Sequence, residues 1–141
     1  MASDELIELL VRFWRVLHDV SAPTRHGELT AQQFWLLRQL RRRGPSRVSD
    51  LAATLGIAQS SVTVASQRLE AIGLLTRQRD DVDKRVVRVT LTAAGAERVD
   101  AWRAQRRETL AELLAALDGL QQQQLADLLE RVLTRAGDTA L

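Results

Sequence analysis

Apolar residues recur every three or four positions along most of this chain, a spacing that predicts amphipathic helices. The first helix should span residues 4–20. Its apolar stripe is broad for a terminal helix and consists of Leu6, Ile7, Leu10, Phe13, Trp14, Leu17 and Val20. A loop with Pro23 and Gly27 should follow, because both residues interrupt a helical pattern.

The second helix should run from Ala31 to about Arg43. Thr30 is suited to cap its N-terminus, and Gly44 with Pro45 should end it. Its inward positions are Phe34, Leu37 and Leu40, with Trp35 and Leu36 beside them. The three arginines at its end, Arg41, Arg42 and Arg43, suit the negative end of the helix dipole, and they could also contact phosphates.

Two short helices separated by Gly56 come next, a pattern typical of a helix-turn-helix. The first should cover about Val48 to Leu55, capped by Ser46 or Ser49. The second should cover about Gln59 to Ile72, and its apolar face carries Val62, Ala65, Leu69 and Ile72. Its other face carries Gln59, Ser60, Ser61, Thr63, Val64, Gln67 and Arg68. Hydroxyl and amide groups at such positions can read base edges in a major groove, so these seven are the predicted base-reading residues.

Two strand-like runs follow, Leu74 to Arg77 and Val86 to Leu91, with the charged segment QRDDVDKR between them. A β-hairpin after a helix-turn-helix forms a wing, and wings bring Arg or Lys to phosphates or into the minor groove. The predicted DNA-contacting residues of this wing are Arg79, Lys84 and Arg85.

The C-terminal third should form two more amphipathic helices. One opens at Thr90 or Thr92 and reaches about Leu117, with an apolar side of Val99, Trp102, Leu110, Leu113, Leu114 and Leu117. After a turn at Asp118 and Gly119, the last helix extends to about Ala136, with Leu125, Leu128, Leu129, Val132 and Leu133 on one side. Together with the first helix, they expose more apolar surface than a small winged domain can cover. They could form a dimerisation module or an ordinary intrachain bundle.

Basic charge is concentrated on the predicted winged region. Residues 41–90 hold nine Arg and one Lys against five acids, a balance of +5. Residues 1–40 carry −1 (four Arg, five acids) and residues 91–141 carry −2 (six Arg, eight acids). A basic surface that coincides with a helix-turn-helix favours nucleic-acid binding over a merely solvated face.

The sequence offers little catalytic or metal-binding chemistry. It has no cysteine, which excludes disulfides and zinc–cysteine sites, and its only histidines are His18 and His26. The run His26, Gly27 and Glu28 could bind a metal, but without further ligands it is more typical of a solvated loop. No GxSxG or phosphate-binding glycine loop is present. We therefore expect neither an enzyme nor a metal or cofactor site.

Length and composition indicate one ordinary globular chain. It has 141 residues, of which 45% are hydrophobic and 27% charged. No apolar run approaches the roughly 20 residues of a membrane span, and the acidic N-terminus lacks the basic region of a secretory signal. These features predict a cytoplasmic protein without a membrane segment.

Four segments resemble the MarR family of bacterial transcriptional regulators. They are LTAQQFWLLRQL, VSDLAATLGIAQSSVTVASQRLEAIGLLTR, the DKR of the wing, and LTAAG after it. The resemblance covers about half the chain. It implies a mainly α fold with a small β-hairpin wing (α+β), in which residues 30–91 form the winged helix-turn-helix and residues 1–29 and 92–141 form a helical dimerisation region.

The resemblance also implies a function: a homodimeric repressor that binds an inverted-repeat operator in double-stranded DNA and is released by a small-molecule effector. In the family, the aspartate of the DKR motif holds the wing through an arginine, so Asp83 should pair with Arg77 or Arg85. The effector, expected to be small and aromatic, would bind between the winged domain and the dimer helices, where Trp14, His18 and Trp35 are the candidates. The alternative from another class is a winged-helix protein-interaction module that binds no DNA.

The sequence departs from the family pattern at two positions of the second short helix. Many members have an arginine after the threonine, where this chain has Val64. Base reading would then depend on Gln67 and Arg68, or on contact between Val64 and a thymine methyl group. Ser66 occupies a position that is usually apolar, which predicts a looser or hydrogen-bonded helix contact.

Overall fold

The computed structural model describes residues 3–20 and 29–137. The helices are α1 (Asp4–Val20), α2 (Ala31–Arg43), α3 (Val48–Leu55), α4 (Gln59–Ala71), α5 (Ala93–Leu114) and α6 (Gly119–Ala136). The strands are β1 (Ser46–Arg47), β2 (Leu75–Arg79) and β3 (Val87–Leu91). The chain divides into two compact units, Met1–Gln105 and Arg106–Leu141, and α5 begins in the first and ends in the second. The predicted class, mainly helical with a small β wing, is confirmed.

The core of the first unit is built around α2. Thr30 accepts a hydrogen bond from the Gln33 N–H at 3.1 Å, and the Gln33 side chain accepts one from Thr30 N–H, which closes a capping box. The buried side chains of the helix are Gln33, Phe34, Leu36, Leu37 and Leu40. Gly44 ends the helix with a positive φ of 80° and donates its N–H to Leu40 O at 2.8 Å. The sequence pattern located both ends of this helix correctly.

The helix-turn-helix consists of α3 and α4, joined through Gly56 with φ 67° and ψ 32°. The left-handed conformation favours glycine, as expected for a tight turn. The expectation that Ser46 or Ser49 caps α3 is wrong. Arg47 is the N-cap residue and makes no side-chain cap bond, while the Ser46 hydroxyl donates to Gly44 O at 2.9 Å.

The end of α4 also differs from the prediction. Val62, Ala65 and Leu69 are buried as expected, but Ile72 is 59% exposed. The helix ends at Ala71, so Ile72 leaves the helical register that would have turned it inward.

The wing belongs to a three-stranded antiparallel sheet with the order β1-β3-β2. Leu75 pairs with Leu91 and Arg79 with Val87, so β2 begins one residue later and ends two residues later than the sequence indicated. On the other side of β3, Ser46 pairs with Val89. Val89 and Leu75 are buried, which attaches the foot of the wing to the core of the first unit.

Helix α5 leaves the wing through a tightly packed turn. The Thr92 hydroxyl donates to Gly73 O at 2.7 Å and accepts from the Gly95 N–H at 3.1 Å, so Thr92 rather than Thr90 opens the helix. Val99, one turn further along α5, is fully buried. The bidentate contact of Arg41 with Asp100, at 3.1 and 3.0 Å, joins the end of α2 to α5.

Two helices expose most of the apolar residues that the sequence assigned to their stripes, and on α1 and α6 further apolar residues are exposed as well. On α1 the exposed apolar residues are Leu6, Ile7, Leu9, Leu10, Val11, Phe13, Trp14 and Val16. On α6, in the second unit, they are Leu120, Leu128, Leu129, Val132 and Leu133. Helix α6 itself starts at a second capping box, between Asp118 and Gln121. Both helices are therefore regular but leave most of their apolar side chains uncovered in the single chain.

Candidate nucleic-acid interface

Helix α4 has one buried and one exposed face. Its buried face consists of Val62, Ala65, Ser66 and Leu69. Of the seven predicted base-reading residues, Gln59, Ser60, Val64, Gln67 and Arg68 are exposed, and Ser61 and Thr63 are partly exposed. The structure thus brings all seven to the accessible surface of one helix, whose contact with DNA remains a prediction.

Ser66 shows how a polar residue is accommodated on the buried face. It is fully buried, and its hydroxyl donates to the Thr63 carbonyl oxygen at 2.9 Å. This bond satisfies the buried hydroxyl within the helix. Of the two alternatives that the sequence allowed at Ser66, a looser contact or a hydrogen-bonded one, the structure has the second. The bond also fixes the turn that carries Thr63 on the exposed face.

One groove lies between α4 and the start of α2. Its volume is about 370 Å³, and its lining residues are Thr30, Gln32, Gln33, Ser60, Ser61, Val64, Ala65 and Arg68. Val64 is 48% exposed and, with Ala65, contributes the apolar side chains among otherwise polar lining residues. Four of the predicted base-reading residues therefore share a groove with the capped N-terminus of α2, a feature that the sequence pattern did not reveal.

A second groove, which we name the wing groove, separates α4 from the wing. Its volume is also about 370 Å³, and it is lined by Thr63, Gln67, Glu70, Arg77, Gln78, Arg79, Lys84, Arg85 and Val87. Four of these side chains are cationic and one is anionic, which gives the lining a net charge of +3. The structure thus brings all three predicted wing cations together with two predicted base-reading residues.

Hydrogen bonds fix the tip of the wing. Asp83 Oδ1 accepts from the backbone N–H of Arg85 at 3.0 Å, and its carboxylate also contacts the Arg85 side chain at 3.1 and 3.2 Å. The Arg85 side chain and backbone N–H hold the pKa of Asp83 below its usual value. Asp80 Oδ1 accepts from Val82 N–H at 2.9 Å. Asp83 therefore pairs with Arg85, one of the two arginines that the sequence left open.

Arg77 is held differently. Its backbone N–H donates to Glu70 Oε2 at 2.9 Å, which joins β2 to the last turn of α4. The Nε of its side chain is buried and has no hydrogen-bond partner among the described residues. Its predicted partner, Asp83, is occupied by Arg85. No hydrogen bond of the Arg77 side chain within the described residues therefore supports the predicted wing-stabilising role.

Comparison with known proteins identifies the family to which this architecture belongs. The model of the MarR family matches residues 29–87, the segment that contains the helix-turn-helix and most of the wing. YxaD of Bacillus subtilis, described as an HTH-type transcriptional regulator, is 31% identical over 130 residues, which are 91% of each chain. The chain belongs to the MarR family. It is a winged-helix transcriptional regulator by that membership.

Two further relatives support this placement. MdtR of Bacillus subtilis, an HTH-type transcriptional repressor, is 26% identical over 117 residues, 83% of this chain and 76% of its own. The crystal structure of RV1404 from Mycobacterium tuberculosis has a TM-score of 0.84 and 26% identity, with 97% of this chain and 96% of that chain covered. The similarity thus extends through the flanking helices, beyond the segment that the family model matches.

The candidate effector residues of this MarR-family chain form two separate contacts. Trp14 and His18 pack against each other on α1, with ring centroids 5.4 Å apart and the ring planes inclined by 37°. Trp35, on α2, packs edge-on to Phe34 at 6.3 Å and lies under the Arg38 guanidinium at 5.0 Å. Effector binding at either contact remains a prediction.

Metal binding and membrane insertion both find no support in the part of the chain that the structure describes. Within residues 3–20 and 29–137, no cluster of three or more His, Cys, Asp or Glu side chains could hold a metal ion. The run His26 to Glu28, the weak metal candidate from the sequence, lies outside the described residues. None of the helices described is both long and apolar enough to cross a bilayer.

Proposed function

We propose that this MarR-family regulator is a homodimeric repressor that binds an inverted-repeat operator and is released by a small aromatic effector. One observation carries the DNA-binding part of the proposal. The exposed polar face of α4 and the cation-lined wing groove adjoin each other, so base-reading and phosphate-binding groups occupy one continuous surface. Specific DNA recognition typically combines both kinds of group, because phosphate contacts position the protein and base contacts specify the sequence.

Base reading would be performed by α4 in the major groove. Gln67 can form a bidentate contact with adenine, and Val64 can pack against a thymine methyl group. Both side chains are exposed, and Val64 stands where many family members have an arginine that contacts a base. We therefore propose an A·T-rich half-site, with Ser60, Ser61 and Thr63 providing shorter contacts.

The wing would contact the DNA backbone or the minor groove through Arg79, Lys84 and Arg85. The Arg85 side chain is 91% exposed although it pairs with Asp83, so its outer guanidinium surface is accessible to DNA. The Asp83 contact restricts the arginine before DNA arrives and thereby lowers the entropic cost of binding.

Dimerisation would bury the apolar faces of α1 and α6. Monomeric proteins rarely expose contiguous apolar patches of more than a few hundred Å², whereas obligate dimer interfaces are rich in such surface. Family membership supports the same assignment, because the N-terminal helix and the last two helices interlock two subunits in the MarR family. An inverted-repeat operator follows, since a two-fold dimer presents two equivalent α4 helices about 34 Å apart.

Support for repression comes from the relative MdtR, which is named a repressor. The effector step rests on family membership, and the aromatic residues Trp14, His18 and Trp35 are its candidate contacts. A regulator of this kind would act in the cytoplasm, where its operator is located.

Selection of bound sequences from random double-stranded DNA tests the function. We expect enrichment of an inverted repeat, and the selected DNA should be bound at least roughly 10³-fold more tightly than random DNA at physiological salt. The selected complex should then be titrated with aromatic carboxylates and phenols, which should release the DNA and quench tryptophan fluorescence together. Quenching without release would identify a ligand site that does not control DNA binding.

A winged-helix module that binds proteins is the competing function. It would yield no enriched DNA and a partner interaction that varies little with salt. The cationic lining of the wing groove argues against it, because a surface of this charge attracts polyanions.

A further inference from the structure

We propose that Arg77 binds a backbone phosphate of the operator at the inner end of the wing groove. The proposal rests on the proposed DNA-binding function and assigns Arg77 a contact in place of the wing-stabilising role that the sequence suggested. The expected ligand is one phosphodiester group of double-stranded DNA, located where the backbone passes between α4 and the wing.

The position of Arg77 in the hairpin directs its side chain toward the groove. Arg77 is paired with Val89, and directly opposite residues of an antiparallel pair have their side chains on the same face of the sheet. Val89 is fully buried, so this face packs toward α4 and the core. The Arg77 side chain lines the wing groove together with Gln67 and Thr63 of α4.

The guanidinium of Arg77 is unused within the part of the chain that the structure describes. Its Nε is buried without a hydrogen-bond partner, and no guanidinium nitrogen of Arg77 is paired with a carboxylate of the described residues within 4.0 Å. A buried donor without an acceptor is unfavourable, and buried polar groups in proteins are nearly always satisfied. A phosphate provides several acceptor oxygens in the arrangement that guanidinium groups bind in a bidentate manner, and a change of the Arg77 rotamer on DNA binding would bring the shielded Nε to one of them.

The neighbouring charges favour an anion at this position. Arg79, Lys84 and Arg85 line the same groove, and the Asp83 carboxylate is already engaged by Arg85. Glu70 is the one anionic side chain of the lining, and its Oε2 accepts the backbone N–H of Arg77 at 2.9 Å. Glu70 thus anchors the strand that carries Arg77 without neutralising the guanidinium by direct contact.

A structural role for Arg77 predicts a different result from a phosphate-binding role. If the guanidinium held the wing, its removal would destabilise the folded protein. Because it makes no hydrogen bond or ion pair within the described residues, Arg77→Met should leave the unfolding temperature unchanged or slightly higher. Methionine retains an unbranched apolar stem and removes the charge and the unpaired Nε–H.

Arg88→Met is a matched control. Arg88 is adjacent to Val89 on β3, so its side chain points to the opposite face of the same hairpin, and it does not line the wing groove. The two variants have the same net charge, so a difference between them measures the local contact of Arg77 rather than general attraction to DNA.

The experiment uses DNA selected by the full-length protein from a random library, with fluorescence anisotropy at several salt concentrations. Arg77→Met should bind selected and random DNA about tenfold more weakly than Arg88→Met, equivalent to about 1.4 kcal/mol. The slope of log affinity against log salt should fall by about one unit. Single phosphates of the selected site are then replaced one at a time by uncharged methylphosphonates. At one position in each half-site, this replacement should weaken binding of the wild type and of Arg88→Met but not of Arg77→Met.

Three results would overturn the proposal. Equal affinities of the two variants would show that Arg77 contacts no phosphate, while the proposed function would stand. A lower unfolding temperature of Arg77→Met, with methylphosphonate sensitivity retained at every position, would show that Arg77 stabilises the wing. Failure of the wild-type protein to enrich any DNA would overturn this proposal and the proposed function together.

Discussion

The close packing of α5 against the wing leads to a prediction about Gly95. A Cβ atom added at Gly95 would overlap the carbonyl oxygen of Leu74 and lie 2.7 Å from Leu91 Cδ1 and 3.1 Å from the Leu74 carbonyl carbon. The carbonyl oxygen belongs to the main chain and accepts the N–H of Thr92 at 3.2 Å, so it cannot rotate away like a flexible side chain. We therefore expect Gly95→Ala to force α5 away from the start of β2.

Two opposing contributions determine the size of the effect. Alanine is preferred to glycine within a helix by about 0.8–1.0 kcal/mol, which would stabilise the variant. Inserting a methyl group into a closely packed site typically costs about 1–3 kcal/mol, and the upper end applies where backbone must move. The steric cost should exceed the helix preference, so the free energy of unfolding should fall by about 2 kcal/mol.

Gly119→Ala provides the control for this substitution. Gly119 is the first residue of α6, does not have a positive φ, and would have no atom within 4 Å of an added Cβ. This variant should have equal or slightly greater stability than the wild type, because only the helix preference remains. Urea unfolding followed by circular dichroism should be compared at equal protein concentration, since the stability of the proposed dimer would depend on concentration. If Gly95→Ala proves as stable as Gly119→Ala, the packing argument for this turn is wrong.

Four further predictions follow from the interface and the ion pairs. Arg85→Ala should weaken binding to selected and random DNA alike and lower the salt slope by about one unit, whereas a loss limited to one operator variant would indicate base reading. Gln67→Ala should cost about 1–3 kcal/mol on the selected site and far less on random DNA, and equal losses on both would assign specificity to DNA shape instead. Arg41 holds the pKa of Asp100 below its usual value, so the stabilisation from this exposed pair should be present above the pKa of an unfolded aspartate and decline as pH falls through the lowered value. Titration of the Asp100 carboxyl by NMR in wild type and in Arg41→Gln should show the pKa rising in the variant, and an unchanged pKa would show that the pair does not form in solution. Light scattering at micromolar concentration should give about twice the 15.8 kDa mass of one chain, and a monomer that binds an inverted repeat tightly would contradict the assignment of α1 and α6 to a dimer interface.

The helices and their ends were predictable where a local signal was strong. Both ends of α2 are marked by residues next to them in the sequence. Its start carries Thr30 and Gln33, and its end is followed by Gly44 and Pro45. The exposed face of α4 was equally predictable, because the helical period alone separates Val62 and Leu69 from its other side. These features depend on neighbouring residues, so no knowledge of the tertiary structure was needed.

The features that the sequence did not reveal depend on residues far apart in the chain. Strand β1 has only two residues and exists because Ser46 and Arg47 pair with β3, about 40 positions later. Ser46 lies one position before the N-cap residue Arg47, and its hydroxyl donates to Gly44 O instead of capping α3. Likewise, the grooves on the two sides of α4 arise from the positions of α2 and the wing, and the unpaired Nε of Arg77 could not be inferred from a pattern that offered Asp83 two possible partners.

The connection between α5 and the winged region constrains how an effector could release DNA. Within the first unit, α5 is fixed by the Thr92 hydroxyl on Gly73 O, by the contact of Gly95 with the Leu74 main chain, and by the Arg41–Asp100 pair. These contacts, spread over two turns of helix, hold α5 to the segment that follows α4 and to the end of α2. A displacement of the first two turns of α5 should therefore carry α4 with it. An effector that shifts these turns within the proposed dimer would change the distance between the two α4 helices, and this distance must match the spacing of the operator half-sites. Loosening of the wing relative to α4 is not required for release in this mechanism.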